Sequence, residues 1–187
     1  MSEIDIVSGI QSVMTSSPIL VAASIFLARW LVFGFVLFGI ALVTSPKKEN
    51  RHAVLEAAWS AVLALALTTL IALVVGRLRP YQATDASTVA LLIPEPLNSS
   101  FPSGHTAVSF AIASAILYAN RRAGALAILV AVLVAFGRMA VGVHYLSDIV
   151  AGFAVGVLSF AAVRGMHGQI RTRDIERSAK KHHHERP

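Results

Sequence analysis

The sequence predicts an all-α integral membrane protein, a helical bundle with about five transmembrane helices. Of its 187 residues, 56% are hydrophobic and only 14% are Asp, Glu, Lys or Arg, whereas soluble domains carry about 25% charged residues. A soluble fold with so few charges would expose large apolar patches, so a soluble multidomain protein, a coiled coil and a disordered chain are excluded. The chain has no cysteine, which excludes disulfides, thiolate metal sites and thiol nucleophiles.

Five apolar stretches account for the predicted spans. A spanning helix needs about 20 mostly apolar residues, because each residue rises about 1.5 Å and the hydrocarbon layer is about 30 Å thick. The predicted spans are Ile19–Val43, Ala53–Val75, His105–Tyr118, Ala123–Val141 and Leu146–Val163. The third is the shortest, and its start is open between Ser103 and His105. A sixth, short helix at Ile4–Met14 is weakly amphipathic, so we expect it to lie in the membrane interface.

The distribution of charge predicts the orientation of the bundle. The N-terminus is acidic through Glu3 and Asp5 and lacks the basic region of a secretory signal, so we expect no cleaved targeting peptide. With the N-terminus outside, every Lys and Arg lies inside except Arg29, Arg77, Arg79 and Arg138. Basic residues near span ends favour the cytoplasm, which supports this orientation. We therefore expect one membrane domain at 1–167 and a basic, disordered cytoplasmic tail at 168–187.

Polar residues gather at the outer end of this predicted bundle. A charged group at mid-membrane costs roughly 2.5–3.5 kcal/mol, so each one in or beside a span is a functional candidate. The predicted topology brings together Arg79, Ser103, His105, Arg138, His144 and Asp148. These residues come from four separate segments, and a random scatter would divide them between the two faces of the membrane. The sequence therefore predicts one shared site.

The residue types at this end suit a phosphate group. In Pro102–His105 a turn precedes a helix start, with Ser103 as N-cap and free backbone N–H groups that attract an anion. Gly104 lets an oxygen approach the backbone closely. Arg79 and Arg138 add planar guanidinium groups that match phosphate oxygens. A cap without a ligand and an arginine that snorkels to lipid headgroups are the alternatives for single residues, and the combination favours an anion site.

Two histidines and a carboxylate add reactive chemistry. His144 and Asp148 are four residues apart, which places them on one face if both are helical. A carboxylate bonded to one ring nitrogen leaves the other nitrogen free to attack, and His105 can protonate a leaving oxygen. A structural His–Asp pair at a helix start is the alternative. These residues offer no carboxylate cluster for Mg²⁺ and few ligands for Zn²⁺, so we expect no metal and no cofactor.

Three motifs follow one another along the chain. They are Gly76-Arg77-Leu78-Arg79-Pro80, then Pro102-Ser103-Gly104-His105, then Arg138 with His144 and Asp148 behind it. Together they resemble the signatures of type 2 phosphatidic acid phosphatases (PAP2), membrane lipid phosphatases that include bacterial undecaprenyl-diphosphate phosphatases. The resemblance implies that His144 is a nucleophile forming a phosphohistidine, that Asp148 orients it and that His105 is the acid. It also implies a set of phosphate-binding residues: Arg79, Ser103, Gly104 and Arg138.

The sequence departs from the family pattern at two positions. Gly137 stands where a serine is usual before the third-motif arginine, and Ala72 stands where the first motif begins with lysine. Losing that lysine removes a phosphate-binding cation. Arg77 is a candidate replacement if the chain leaves its helix near Gly76, because in a continuous helix it points about 140° away from position 72. Arg29 is a second candidate.

The resemblance implies a lipid phosphate substrate at the outer membrane surface, and undecaprenyl diphosphate is the leading expectation. Phosphatidylglycerophosphate, phosphatidic acid and lipid A phosphates remain alternatives. Two other classes also stay open: a catalytically silent lipid-phosphate binder, motivated by Ala72, and a small channel or transporter, motivated by span number alone. No nucleic-acid partner is expected, and the oligomeric state is open.

Two further patterns predict local packing. The apolar run 89–93 lies in the loop Tyr81–Phe101 and fits an interfacial helix, a lid over the lipid tail or an ordinary packed loop. Gly152 and Gly156 have the spacing that lets two helices approach closely, and we expect packing within one bundle rather than a dimer.

Overall fold

Every regular element in the described part of the chain is helical. The structure, a computed structural model, describes residues 2–44, 48–83, 88–94, 96 and 98–184. Its α-helices are α1 (Glu3–Met14), α2 (Pro18–Ile25), α3 (Gly34–Val43), α4 (Lys48–Val75), α5 (Gly104–Ala119), α6 (Arg121–Ala140) and α7 (Leu146–His184). Four segments are long and apolar enough to cross a membrane, namely Pro18–Ile40, His52–Gln82, Arg121–Ala140 and Leu146–Gln169. With the shorter apolar α5, these confirm the predicted all-α membrane fold.

The first span is helical throughout, but the type of helix changes near its middle. Ser17 caps its start and Pro18 occupies the first turn, where a missing N–H costs nothing. A π-helical turn at Phe26–Trp30 and a 3₁₀ turn at Leu31–Phe33 separate α2 from α3. At this point the backbone of α6 comes so close that a Cβ on Gly137 would lie 2.6 Å from the nitrogen of Ala28. The glycine that departs from the family pattern is therefore required by packing.

Helix α5 lies at the centre and packs against α4, α6 and α7. It begins at Gly104, with Ser103 as the N-cap, so the start that the sequence left open is settled. Small residues allow close approach: a Cβ on Gly152 of α7 would lie 2.6 Å from the carbonyl oxygen of Ser103, and Gly156 meets the backbone of Ala107. The small-residue spacing therefore serves packing within the bundle, as predicted.

The apolar run 89–93 forms an irregular segment that packs on the protein. Gln11 of α1 fixes it, since its side chain donates to the Ala90 carbonyl at 2.7 Å and accepts from the Ala90 N–H at 2.8 Å. Val89 is buried beside Val7 of α1, and the Leu92 N–H donates to the Val141 carbonyl. The interfacial-helix interpretation is wrong for these residues, because the two backbone groups of Ala90 are bonded to a side chain of another helix.

The C-terminal helix is longer than the sequence suggested. The predicted span ends at Val163, but α7 continues to His184. This differs from the disordered tail expected at 168–187. The physical reason is composition, because the segment contains several strong helix formers among its Arg, Lys, Glu, Gln and Ala residues and has no proline before Pro187.

Candidate active site

A cavity of about 300 Å³ opens at one end of the bundle, which we call the pocket end. It lies between the chain that follows α4, the segment before α5, the last turn of α6 and the loop before α7. Five of the predicted site residues line it, namely Arg79, Gly104, His105, Arg138 and His144. Segments separated by about 70 positions therefore meet in one pocket, as the predicted convergence requires.

Arg79 reaches the pocket because α4 stops short of it. The helix ends at Val75, and Gly76 adopts φ +58°, a left-handed conformation that favours glycine. The Arg79 side chain is 2% exposed and donates to the carbonyl of Val143 at 2.8 Å and to the side-chain oxygen of Asn98 at 2.8 Å. It also donates to the carbonyls of Asn98 and Ser99. All of these acceptors are neutral, so they orient the guanidinium without balancing its charge.

Arg138 is buried with even fewer partners. It is 5% exposed, its Nη1 donates to the Ala28 carbonyl at 3.3 Å, and its Nε has no hydrogen-bond partner within the described chain. Neither Arg138 nor Arg79 forms an ion pair with any carboxylate that the structure describes. A buried charge is costly unless an opposite charge or several hydrogen bonds compensate it. Two such guanidinium groups in one pocket indicate a binding site for an anion.

The start of α5 adds a third feature that favours an anion. Gly104 lines the cavity, at a helix N-terminus whose dipole attracts negative charge. Ser103 is fully buried, and its hydroxyl accepts hydrogen bonds from the backbone N–H and the hydroxyl of Thr106, the latter at 2.9 Å. The hydroxyl therefore caps the helix, and it is Gly104 that faces the pocket.

His144 lies in the loop before α7 rather than in the helix. The loop follows Gly142, which adopts φ +81°, and α7 begins at Leu146. The condition for stacking on one helix face, that both His144 and Asp148 are helical, is therefore not met, although the two side chains do meet, with Nδ1 3.5 Å from Oδ2. Burial lowers the pKa of His144 to about 4, and the positive charges of Arg138 and Arg79 add to this, against the opposing effect of Asp148. The ring is neutral at pH 7, which a nucleophile requires.

Asp148 is completely buried and makes contacts with both carboxylate oxygens. Oδ2 accepts from the hydroxyl of Ser100 and from the backbone N–H of Tyr145, the latter at 2.9 Å. Oδ1 accepts from Arg77 at 2.7 Å. Sequence reasoning did not single out Ser100, and the polar run Asn98-Ser99-Ser100 before the second motif was the available signal.

Arg77 lies outside the pocket, contrary to the prediction that it binds phosphate. Its Nη1 donates to Ser147 and Asp148, its Nη2 pairs with Glu3 at 2.6 Å, and its guanidinium stacks on the ring of Tyr145. The reason is the turn at Gly76, which directs the side chain to the first turn of α7, where Ser147 and Asp148 lie. Arg29 is exposed beside Trp30. Neither arginine replaces the lysine that is missing at position 72.

An apolar groove adjoins the polar pocket. It has a volume of about 540 Å³ and lies between the first span, α4 and α5. Val32 and Val108 line both the groove and the polar pocket, so the two cavities are neighbours. The other side chains along the groove include Phe35, Val36, Ile40, Val54, Ile112 and Ile116. A molecule with a charged head and a long hydrocarbon chain fits this pair of cavities.

The groups that face the pocket differ from a metal site. No group of three His, Cys, Asp or Glu residues is arranged to hold a metal within the ranges that the structure describes. The charged and ionisable side chains of the pocket are two guanidinium groups and two imidazoles, and a guanidinium is not a metal ligand. The donor set is suited to an anion.

Comparison with known proteins agrees with the geometry. Residues 53–171 match the model of the PAP2 superfamily. The undecaprenyl-diphosphatase BcrC of Bacillus subtilis is 29% identical over 154 residues, which is 82% of this chain and 78% of that protein. The decaprenylphosphoryl-5-phosphoribose phosphatase of Mycobacterium tuberculosis is 30% identical over 173 residues, covering 89% of this chain and 91% of that one. The crystal structure of LpxE from Aquifex aeolicus superposes with a TM-score of 0.64 at 28% identity, covering 86% and 93% of the two chains.

Proposed function

Because the chain belongs to the PAP2 superfamily and is a membrane lipid phosphatase, we propose that it removes the terminal phosphate of undecaprenyl diphosphate. Two relatives are named for phosphates carried on long polyprenyl chains, and one of them for undecaprenyl diphosphate itself. Phosphatidylglycerophosphate and phosphatidic acid are the alternative substrates.

One observation carries this proposal: a pocket with two buried guanidinium groups that pair with no described carboxylate adjoins a predominantly apolar groove. The pocket accounts for binding a phosphate of high negative charge, since Arg79 and Arg138 lack carboxylate partners among the residues described. The groove of about 540 Å³ provides space for part of a hydrocarbon chain. A water-soluble phosphate ester would leave the groove unused, and an uncharged lipid would leave the two arginines uncompensated.

The proposed reaction has two steps, and both use the same two histidines. In the first, Nε2 of His144 attacks the terminal phosphorus, a P–N bond forms and the P–O bond to the lipid phosphate breaks. His105 gives its proton to the departing oxygen. In the second, His105 takes a proton from water, whose oxygen attacks the phosphohistidine, and the P–N bond breaks to release inorganic phosphate. Arg79, Arg138 and the backbone at Gly104 stabilise the negative charge in both steps.

Asp148 orients His144 in this scheme and stabilises the positive charge that the ring acquires. We assign no metal to either step, because the arginines supply the positive charge at the phosphoryl group. Turnover is therefore expected to continue in the presence of a chelator. The pocket end faces outward in this proposal, and the C-terminal end of α7 lies in the cytoplasm, in keeping with the distribution of basic residues.

A catalytically weak lipid-phosphate binder is the second candidate, and Ala72 favours it. The position seven residues before Arg79 lacks the cation that the family pattern provides, and both Arg77 and Arg29 lie elsewhere. In that case the protein would bind lipid diphosphates in the pocket and release phosphate slowly.

A competition assay separates these possibilities. Purified protein in detergent is given undecaprenyl diphosphate, phosphatidylglycerophosphate and phosphatidic acid singly and in pairs, and released phosphate is measured. The proposal expects undecaprenyl diphosphate to have the highest kcat/KM. A preference for phosphatidic acid would reject the substrate assignment, and tight binding with negligible release would identify the binder.

A further inference from the structure

A line of alternating charges runs from the N-terminal helix to the predicted nucleophile. Glu3 of α1 pairs with Arg77 at 2.6 Å, and Arg77 pairs with Asp148 at 2.7 Å. Asp148 in turn lies 3.5 Å from the ring of His144. Arg77 is not among the residues that line the phosphate pocket, and its guanidinium bonds instead to Asp148, on the carboxylate oxygen that does not face His144.

The N-terminal helix is fixed to this region by more than one contact. The second carboxylate oxygen of Glu3 accepts from the backbone N–H of Ser147 at 2.8 Å, at the free N-terminus of α7, where a negative charge is stabilising. Partial burial would raise the pKa of Glu3, but the hydrogen bonds from Ser147 and Arg77 outweigh it and lower the pKa. Glu3 is therefore ionised at neutral pH, and farther along α1 Gln11 bonds to the carbonyl of Ala140.

The carboxylate of Asp148 contacts four groups, and Arg77 determines which of its two oxygens contacts each of the others. Because Arg77 occupies Oδ1, the contacts with Ser100, the Tyr145 N–H and the His144 ring all fall on Oδ2. The carboxylate cannot rotate without breaking the pair with Arg77. A fixed carboxylate in turn fixes the orientation of the imidazole, the requirement for a nucleophile that must be aimed at phosphorus.

We propose that Glu3 and Arg77 are positioning residues for the phosphatase reaction, through which the N-terminal helix holds Asp148 and sets the basicity of His144. The inference rests on the proposed function, because it requires His144 to be the nucleophile. Arg77 partly neutralises Asp148 and so weakens the support that Asp148 gives to a protonated imidazole. Glu3 partly neutralises Arg77 and acts in the opposite direction.

The alternation of charges predicts that replacing Arg77 and replacing Glu3 shift the pKa of His144 in opposite directions. Simple loss of structure would not produce opposite shifts. The charged and titratable groups that face His144 are Asp148 from α7, Arg138 from α6, His105 from α5 and Arg79 from the chain after α4. Replacing Glu3 or Arg77 removes none of these four groups. Removing the positive charge of Arg77 raises the pKa of His144, and removing the negative charge of Glu3 lowers it.

The test is the pH dependence of kcat/KM for purified protein with undecaprenyl diphosphate. In Arg77→Met we expect kcat to fall about tenfold to a hundredfold, as for loss of a group that orients a catalytic side chain, with KM little changed. The acid limb of the kcat/KM profile, where activity is lost as His144 becomes protonated, should move to higher pH. The expected shift is roughly half a pH unit to one unit, less than the 1–3 units caused by a directly adjacent charge. In Glu3→Gln the limb should move to lower pH by a few tenths, because Glu3 is partly exposed and screened.

Two controls distinguish positioning from stability. Asp5→Asn removes a charge from the same turn of α1, where the Asp5 carboxylate accepts from the backbone N–H of Ser2 in the capping box, and it should leave kcat and the acid limb unchanged. Arg77→Lys keeps the charge, so its limb should stay at the wild-type pH even though kcat falls. Arg77→Gln removes the same charge and replaces Arg77→Met if that variant does not fold.

The outcomes separate this inference from the proposed function. Acid limbs that move in the same direction, or not at all, in Glu3→Gln and in the folded neutral variant of Arg77 would overturn the positioning role while leaving His144 as nucleophile. Full activity in His144→Ala would instead reject the mechanism on which the inference rests. Glu3→Gln should also lose its effect in the Arg77→Met background, because Glu3 acts through Arg77.

Discussion

The two ends of the bundle both hold a buried charged group, but they compensate it differently. At the pocket end, Arg138 is 5% exposed and no carboxylate pairs with it in the described chain. At the opposite end, Arg164 is 42% exposed in its side chain, pairs with Glu56 at 2.7 Å, donates to the Tyr118 hydroxyl and stacks on the Tyr118 ring. The two regions are well separated, since Arg164 follows Asp148 by sixteen residues, or about 24 Å along α7.

The contrast shows which charges are structural. Arg164 and Glu56 satisfy each other and hold α7 against α4, so nothing further needs to bind. Arg138 and Arg79 have neutral partners only, and a phosphate would supply the missing negative charge. A buried charge indicates function when it is left uncompensated, as at Arg138, whereas the buried carboxylate of Glu56 is compensated by Arg164 and is structural.

Replacing one histidine at each end gives the largest expected difference. His144→Ala should lower kcat by about a thousandfold or more, because loss of a nucleophile removes the covalent route. His167→Ala is the matched control, since His167 lies near Glu56 at the opposite end, and its kcat should stay within about twofold. Phosphate release from undecaprenyl diphosphate measures both. Comparable losses in the two variants would remove the distinction between the ends.

Replacing one arginine at each end should separate activity from stability. Arg138→Met is expected to lower kcat/KM about a hundredfold to a thousandfold, as for loss of a preorganised donor to the transition state. Its Tm should be unchanged or higher, because it removes an uncompensated buried charge. Arg164→Met should keep kcat/KM within about threefold but lose roughly 1–2 kcal/mol of stability, since Glu56 is left buried without its partner.

Thermal unfolding and phosphate release, measured in the same detergent, check that Arg138→Met loses activity but not stability and that Arg164→Met loses stability but not activity. A large fall in Tm for Arg138→Met would show that the arginine is structural. A large loss of activity in a well-folded Arg164→Met would show that the opposite end takes part in the reaction.

Restoring the missing cation should have a smaller effect. Ala72 follows Leu65 by seven residues, close to two helical turns, so it shares a helix face with a residue that lines the pocket. Ala72→Lys should lower KM for undecaprenyl diphosphate by about three- to tenfold through a new charge-assisted contact with phosphate. Ala72→Met is the neutral control of similar length. If both variants behave alike, position 72 does not face the substrate.

The smallest expected change is in the pH profile of the wild-type protein. Because burial and the neighbouring arginines lower the pKa of His144 to about 4, the ring stays unprotonated as pH falls from 7 to 5.5. We expect kcat/KM to decrease by less than about twofold over that range, whereas a histidine with the ordinary value near 6.5 would cause a loss of about tenfold. An acid limb centred near pH 6.5 would contradict this description of the pocket end.

Sequence reasoning worked best where the membrane imposes strong physical requirements. Spans are long, continuous and apolar because the backbone must satisfy its own hydrogen bonds within the bilayer. All five predicted stretches are helical, and only the last helix extends far beyond its predicted end, from Val163 to His184. The gathering of Arg79, His105, Arg138 and His144 also followed from topology, because adjacent span ends must lie at the same face. Neither inference required knowledge of side-chain directions.

Reasoning from sequence failed where a single backbone dihedral angle determines the direction in which a side chain points. Arg77 was a candidate for the pocket if the chain left its helix near Gly76. The chain does leave there, but the left-handed turn directs the side chain to Asp148 instead, and no periodicity shows this. Ser100 was missed because the polar run Asn98-Ser99-Ser100 does not show which of its side chains contacts Asp148.

The most direct test of the pocket is to trap the covalent intermediate. Undecaprenyl diphosphate labelled in the terminal phosphate is mixed with the protein for one turnover, quenched in alkali to preserve a P–N bond and mapped by mass spectrometry. We expect the phosphoryl group on His144 of the wild-type protein and none on His144→Ala. Label on His105, or full turnover with no covalent phosphate at any time, would contradict a phosphohistidine at the pocket end.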